Sequence, residues 1–123
     1  MSVADRDLYD RAVTVAARAY APYSRFHVGA AVLARDGRLF EGVNVENAAY
    51  PLGVCAEKSA LVAAVAGGCG PGDLEAIGVT ASPCGGCRQW LVEFRLERVT
   101  YANNEGEVLT ATPADLLPDT FEL

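Results

Sequence analysis

Cys55-Ala56-Glu57 and Pro83-Cys84-Gly85-Gly86-Cys87 bring three thiols and one carboxylate into two short stretches of the chain. A C-x-x-C at a strand-to-helix handover sets one thiolate at the helix start and the other a turn further in, so both can face one ion. Alone, the motif is ambiguous: a redox dithiol, half a zinc ribbon and a chance pair all contain it. Cys55, at the start of a second helix-forming stretch, adds a third thiolate and favours a metal. Three protein ligands leave the fourth tetrahedral position of zinc to water, which is the arrangement of a catalytic site. Glu57 stands two residues from a ligand. Zinc lowers the pKa of its water, and a carboxylate at that position can take the proton and hand it on.

The competing use of these thiols is a closed four-cysteine site that recruits Cys69. Cys69 lies in the Gly-rich stretch beyond the helix that Cys55 begins. At about 1.5 Å rise per residue the two stand roughly 20 Å apart, so Cys69 is expected to be a free, inert thiol. His27, the one histidine, is not needed by a complete three-thiolate set and is read as a strand or surface residue. Metal is also not needed merely to fold. A chain of 123 residues buries roughly two thirds of its unfolded surface, which suffices for one domain spanning residues 1–123.

Composition narrows the partners. Sixteen acids against ten bases give a net charge of −6, which repels a phosphate backbone and argues against nucleic acid. The longest apolar run, Ala60 to Ala66, is far short of the roughly 18 residues that a bilayer crossing needs. Asp5, Arg6, Asp7, Asp10, Arg11 and Arg18 leave no room for a signal peptide in the first turns of the chain, so the expectation is a cytoplasmic protein without a membrane partner. A small neutral or cationic ligand fits better.

The elements that must position these groups follow from periodicity. Leu8, Ala12, Val15, Ala16 and Ala19 predict an amphipathic helix over Asp5 to Ala19, stopped by Pro22. Val28 to Ala34 and Leu39 to Val45 are strand-like and flank Asp36-Gly37, whose positive φ angles suit a tight antiparallel hairpin. Cys55 to Ala66 predicts a helix that is apolar almost all round and therefore buried, closed by Gly67-Gly68. Ala76 to Thr80 reads as a covered strand and Gly85 to Phe94 as a helix in which Trp90 packs to the core. Arg98 to Tyr101 and Val108 to Thr110 are further strands, and Thr112-Pro113 caps a last helical turn through Leu117. The sum is an α/β layered sheet that the opening hairpin keeps from being wholly parallel.

C-A-E followed by P-C-x-x-C matches the three-cysteine form of the zinc deaminase signature. Beyond it, Ala19 to Ala31 resembles A-Y-x-P-Y-S-x-F-x-V-G-A-A, Gly42 to Tyr50 resembles G-x-N-V-E-N-A-x-Y, and Pro83 to Gln89 resembles P-C-G-x-C-R-Q. Leu116-Leu117-Pro118 and Phe121 complete a resemblance, over nearly the whole chain, to the small homotetrameric cytidine deaminases. That resemblance implies a three-layer α/β/α fold on a mixed five-stranded sheet and one Zn2+ per subunit on Cys55, Cys84 and Cys87. It also implies hydrolytic deamination of cytidine and deoxycytidine in pyrimidine salvage, with Glu57 as acid and base. By the same carry-over Asn44 and Glu46 hold the ribose and Phe26 packs on the pyrimidine. Ala56 N–H meets the ring carbonyl and Ser82 C=O the exocyclic amine. Ala48, Tyr50 and Phe121 approach from a neighbouring subunit, so self-association as a homotetramer with shared sites is expected.

One position departs from the pattern: C-A-E is usually continued by arginine, and here by Lys58. Three thiolates on a dication leave −1, which nearby positive groups offset. Lys58 is either such a group or a solvated helix residue, and Arg88 is a second candidate. Two other functions remain at this level. One is deamination of another aminopyrimidine nucleoside such as blasticidin S, and the other is a zinc-stabilised interaction module.

Overall fold

The computed structural model describes residues 1–123. Its elements are α1 (Val3–Ala16), β1 (Gly29–Ala34), β2 (Leu39–Val43), α2 (Ala56–Ala66), β3 (Leu74–Val79), α3 (Gly85–Glu93), β4 (Arg98–Ala102), β5 (Val108–Ala111) and α4 (Pro113–Leu116). A single 3₁₀ turn, Tyr50–Leu52, precedes α2. The five strands form one sheet in the order β2-β1-β3-β4-β5. Only β3 and β4, joined through α3, are parallel; the other neighbours run antiparallel, so the sheet is mixed as expected.

Side-chain alternation along β1 divides the molecule into layers. Ala31 and Leu33 turn to α1, where they meet Leu8, Ala12 and Ala76. Ala30, Val32 and Ala34 turn to the opposite face and join Ala60, Leu61 and Ala64 of α2, Leu91 of α3, and Ile77, Val79 and Val99 of the sheet. The result is α1 on one side and α2 with α3 on the other. Leu61, Ile77 and Leu91 are among the largest fully buried side chains, each worth about 1.5–3 kcal/mol in burial.

Strand direction sets where the chemistry falls. Gly29 at the start of β1 pairs with Val43 at the end of β2, and Ala30 pairs with Val79 at the end of β3. The C-terminal ends of β2 and β3 therefore lie at one end of the sheet, together with the loop that enters β1. From this end α2 and α3 both start, on the same face.

Several sequence boundaries need correction. Helix α1 stops at Ala16, not Ala19, because the chain must be extended at Tyr20: its N–H donates to Asn44 O at 3.0 Å, and its carbonyl accepts from Glu46 N at 2.8 Å. β2 ends at Val43 for a related reason, since Val45 leaves β1 to bridge Tyr20 and Val54. In the hairpin only Gly37 takes a positive φ, 95°, while Asp36 stays in the ordinary region. Helix α2 is not buried all round. Val62 and Val65 are 55% and 53% exposed, because nothing covers the face beyond α3. Cys69 is a free buried thiol, as expected, and accepts from the Arg38 guanidinium at 2.9 Å.

Gly42 fixes how closely α2 lies on β2. A Cβ built there would stand 2.7 Å from Ala56 O and closer still to Ala60 N, both helix backbone. Gly42→Ala must push away the first turn of α2. It is expected to cost about 1–3 kcal/mol in denaturant unfolding and to weaken zinc retention, whereas Gly70→Ala, with nothing within 4 Å, changes neither.

Candidate functional site

Each thiol is placed by a helix start. Cys55 is the N-cap of α2 and Cys84 the N-cap of α3, with Cys87 in the first turn behind it. Two helix N-termini thus direct partial positive charge at one spot, which favours thiolates. Cys55 reaches it because Val54, just before it, pairs with Val45 through two 2.9 Å hydrogen bonds, N–H to O in each direction. That bridge carries the chain from β2 across to the start of α2.

The three sulfur atoms lie within 4.8 Å of one another. Thiolates about 2.3 Å from a tetrahedral ion stand about 3.8 Å apart, so the cluster is already near the spacing that zinc requires. Cys87 is buried, Cys55 half-buried and Cys84 exposed, leaving one open side. Cys69 and His27 are outside the group.

The cluster's electrostatics follow from shared protons. The Cys55 thiol is pushed down to about 6, chiefly because Cys87 donates a hydrogen bond to its anion; burial opposes this, while Cys84 and the Lys58 charge assist. The Cys87 thiol is pushed up by that same bond to Cys55 and by burial. Glu57, only 4% exposed in the first turn of α2, is pushed up mainly by burial and then by the Cys55 charge, with its own backbone, Cys87 and Lys58 opposing. A carboxyl raised in this way is suited to carrying a proton both ways.

Lys58 lies against this cluster. Its Nζ is 5.8 Å from the centre of the Trp90 ring and 3.7 Å from where a Cβ of Gly86 would stand, between the two ligands of α3. Arg88 does something else. Its guanidinium donates to Pro83 O at 2.8 Å, Leu116 O at 2.8 Å and Ser82 Oγ at 3.1 Å, fastening the 82–84 segment to α4. All three acceptors are neutral, so this fastening leaves the Arg88 charge in place, next in sequence to Cys87. Trp90 stacks on Phe94, ring centres 5.9 Å apart, at the edge of the core.

Beside the cluster is a cleft of about 500 Å3 lined by Asn44, Glu46, Tyr50 and Cys55 together with Tyr23, Ser24, Val45, Asn47, Gly53 and Val54. Asn44 Oδ1 accepts from Val28 N at 2.8 Å and Nδ2 donates to Phe26 O at 2.8 Å. Glu46 Oε1 accepts from Tyr23 N at 2.9 Å and Ser24 N at 3.1 Å. Each side chain keeps donor or acceptor capacity for a ligand. Ala56, buried, is the first residue of α2, where helix N–H groups have no intrahelical partner. Phe26, Tyr50 and Phe121 are 60%, 91% and 73% exposed. Phe26, Ala48 and Phe121 do not line the cleft of the single chain. Sequence reasoning gave no role to Tyr23, Ser24 or Asn47, although all three stand inside the quoted motifs.

Three thiolates around an open position, with a buried carboxylate alongside, make up the donor set of a hydrolytic zinc centre. The family model for the cytidine and deoxycytidylate deaminase zinc-binding region matches residues 2–103. The cytidine deaminase of Sporosarcina psychrophila is 43% identical over 112 residues, covering 85% of this chain and 81% of its own. The crystal structure of cytidine deaminase from Burkholderia pseudomallei superposes with a TM-score of 0.88 at 42% identity, covering 98% of this chain and all (100%) of that one. Cytidine deaminase from Mycobacterium tuberculosis gives 0.85 at 39% identity, covering 99% and 100%. The chain belongs to the cytidine and deoxycytidylate deaminase family, and Cys55, Cys84 and Cys87 are its zinc-holding group.

Lys58→Ala is expected to lose zinc to a competing chelator roughly tenfold more readily than the parent chain, and Lys58→Arg to retain it. Equal retention by all three discards the charge-balancing role.

Proposed function

We propose that this chain is a zinc-dependent hydrolase that converts cytidine and deoxycytidine to uridine and deoxyuridine with release of ammonia. The observation that carries the reading is the buried carboxyl of Glu57 beside three convergent thiols, next to a polar cleft of nucleoside size. Zinc held by Cys55, Cys84 and Cys87 supplies the Lewis acidity that makes water a nucleophile at neutral pH.

The chain's own groups account for the rest. Asn44 and Glu46 hold the sugar hydroxyls, Phe26 packs on the pyrimidine, Ala56 N–H meets the ring carbonyl and Ser82 C=O the amine. Glu57 takes a proton from the water that adds to C4 and passes it to ring N3, then takes the proton of the resulting C4 hydroxyl and passes it to the leaving nitrogen. The C4–N bond then breaks, the C4–O bond becomes a carbonyl, and one water has been exchanged for one ammonia. Burial keeps the Glu57 proton available for delivery, because it disfavours the free carboxylate.

The working form is a homotetramer with shared sites, placed in cytoplasmic pyrimidine salvage. Support comes from the exposed aromatic rings of Phe26, Tyr50 and Phe121, and from an apolar groove of about 620 Å3 lined by Val62, Val65, Trp90 and Phe94. On this reading Ala48, Tyr50 and Phe121 complete a neighbour's cleft.

Glu57→Gln is expected to keep its zinc and its melting temperature while losing roughly 10² to 10⁴-fold in ammonia release from cytidine. A zinc-stabilised interaction module would have no such activity to lose, and turnover of blasticidin S without cytidine would redirect the substrate. Sedimentation is expected to find four chains, and mixing inactive Glu57→Gln chains with impaired Phe121→Ala chains to recover activity if sites are shared.

A further inference from the structure

Glu46 and Phe26 are joined through one hydroxyl. Ser24 Oγ donates to Glu46 Oε2 and accepts from Phe26 N–H at 3.0 Å. Arg25, between them, takes a left-handed φ of 61°, a conformation that persists in a non-glycine residue only where its neighbours hold it. The holding groups are Ala21 O on the Arg25 N–H at 2.9 Å, Ser24 on the Phe26 N–H, and Asn44 Nδ2 on the Phe26 carbonyl at 2.8 Å. The Phe26 backbone is therefore clamped on both sides by groups that line the cleft.

We propose that Ser24 is a positioning residue whose hydroxyl couples the sugar-side carboxylate of Glu46 to the ring of Phe26, so that sugar and base are gripped together. The inference rests on the proposed nucleoside site and adds to it a residue that touches neither the metal group nor Glu57. The Ser24 hydroxyl is also the leading reason that the Glu46 carboxyl is held below its usual range, which keeps it a full anion and a strong acceptor. Without the hydroxyl, Phe26 N–H loses its acceptor and Oε2 a donor, and the Phe26 end of the loop is left to Asn44 Nδ2 and to the Arg25 N–H on Ala21 O. Binding suffers first, because the chemistry at C4 belongs to groups on α2 and α3.

Ser24 is exposed, so both Ala and Thr fit there without repacking the core. Ser24→Ala is expected to raise KM for cytidine roughly three- to thirtyfold while kcat stays within about twofold and zinc content is unchanged. Ser24→Thr keeps the hydroxyl and restores KM. Amide hydrogen exchange at Phe26 accelerates in Ser24→Ala but not in Ser24→Thr. Parental KM in Ser24→Ala, a loss confined to kcat, or unaltered exchange at Phe26 overturns the coupling. A parent chain that holds zinc but does not deaminate cytidine overturns the proposed function instead, and the exchange comparison still decides whether Ser24 holds Phe26.

Discussion

Three thiolates borne by two separate helices must meet within the reach of one ion, and the sheet exists in a form that makes this possible. β2 and β3 run in the same direction because β1 lies antiparallel between them. Their C-terminal ends stand about 10 Å apart at one end of the sheet, and the helices that follow both pack on the same face. Cys55 and Cys84 cap those helices. Reversing either strand, or moving either helix to the α1 side, would separate the ligands by the thickness of the molecule. The glycine at position 42 belongs to the same constraint, since it lets the α2 backbone lie directly on β2 where that helix begins.

Charge is the second consequence of that convergence. Three thiolates overcompensate a dication, which lowers its strength as a Lewis acid. Two helix starts direct partial positive charge at the cluster, and on the proposed reading Lys58 opposes the rest of the excess, while Arg88 keeps its charge as it fastens carbonyls and Ser82. Glu57 is placed so that the same low-polarity surroundings that strengthen these interactions raise its own pKa. A fully solvated carboxylate there would hold its proton too weakly to deliver it to a leaving amine. On the proposed mechanism, burial of an acid in the first turn of α2 serves the proton transfer even though it opposes stability.

Much of this was legible in the residues. The ligands, the acid and the order of elements follow from spacing, from breakers and from Gly37 and Pro113. The end of α1 and the β2 end were not, because they are decided by Tyr20 pairing with Val45 and Val45 with Val54, contacts outside any strand that no local period encodes. The exposure of Val62 and Val65 was also illegible: a run of Ala, Leu and Val shows that a surface is apolar, not whether this chain or another covers it. The fastening role of Arg88 was illegible for a related reason, since its charge is visible in sequence while its acceptors, on Pro83, Leu116 and Ser82, are brought to it only by folding.

The two polar motifs at the cleft are physically one unit. In the extended segment after β2, Asn44 and Glu46 alternate with Val45, so both project to the same side while Val45 supplies backbone pairing to Tyr20 and Val54. On that side lies the 23–28 loop, and the two side chains meet it at four residues: Tyr23 and Ser24 through Glu46, Phe26 and Val28 through Asn44. Neither is therefore a free surface group waiting for a ligand. Each is already oriented by the bonds it makes, so a ligand hydroxyl that binds there does not have to order it. Preorganisation has a structural cost as well as a benefit: the loop that carries Phe26 depends on the residues that would hold the sugar, so Phe26 and the polar side of the cleft cannot be altered independently.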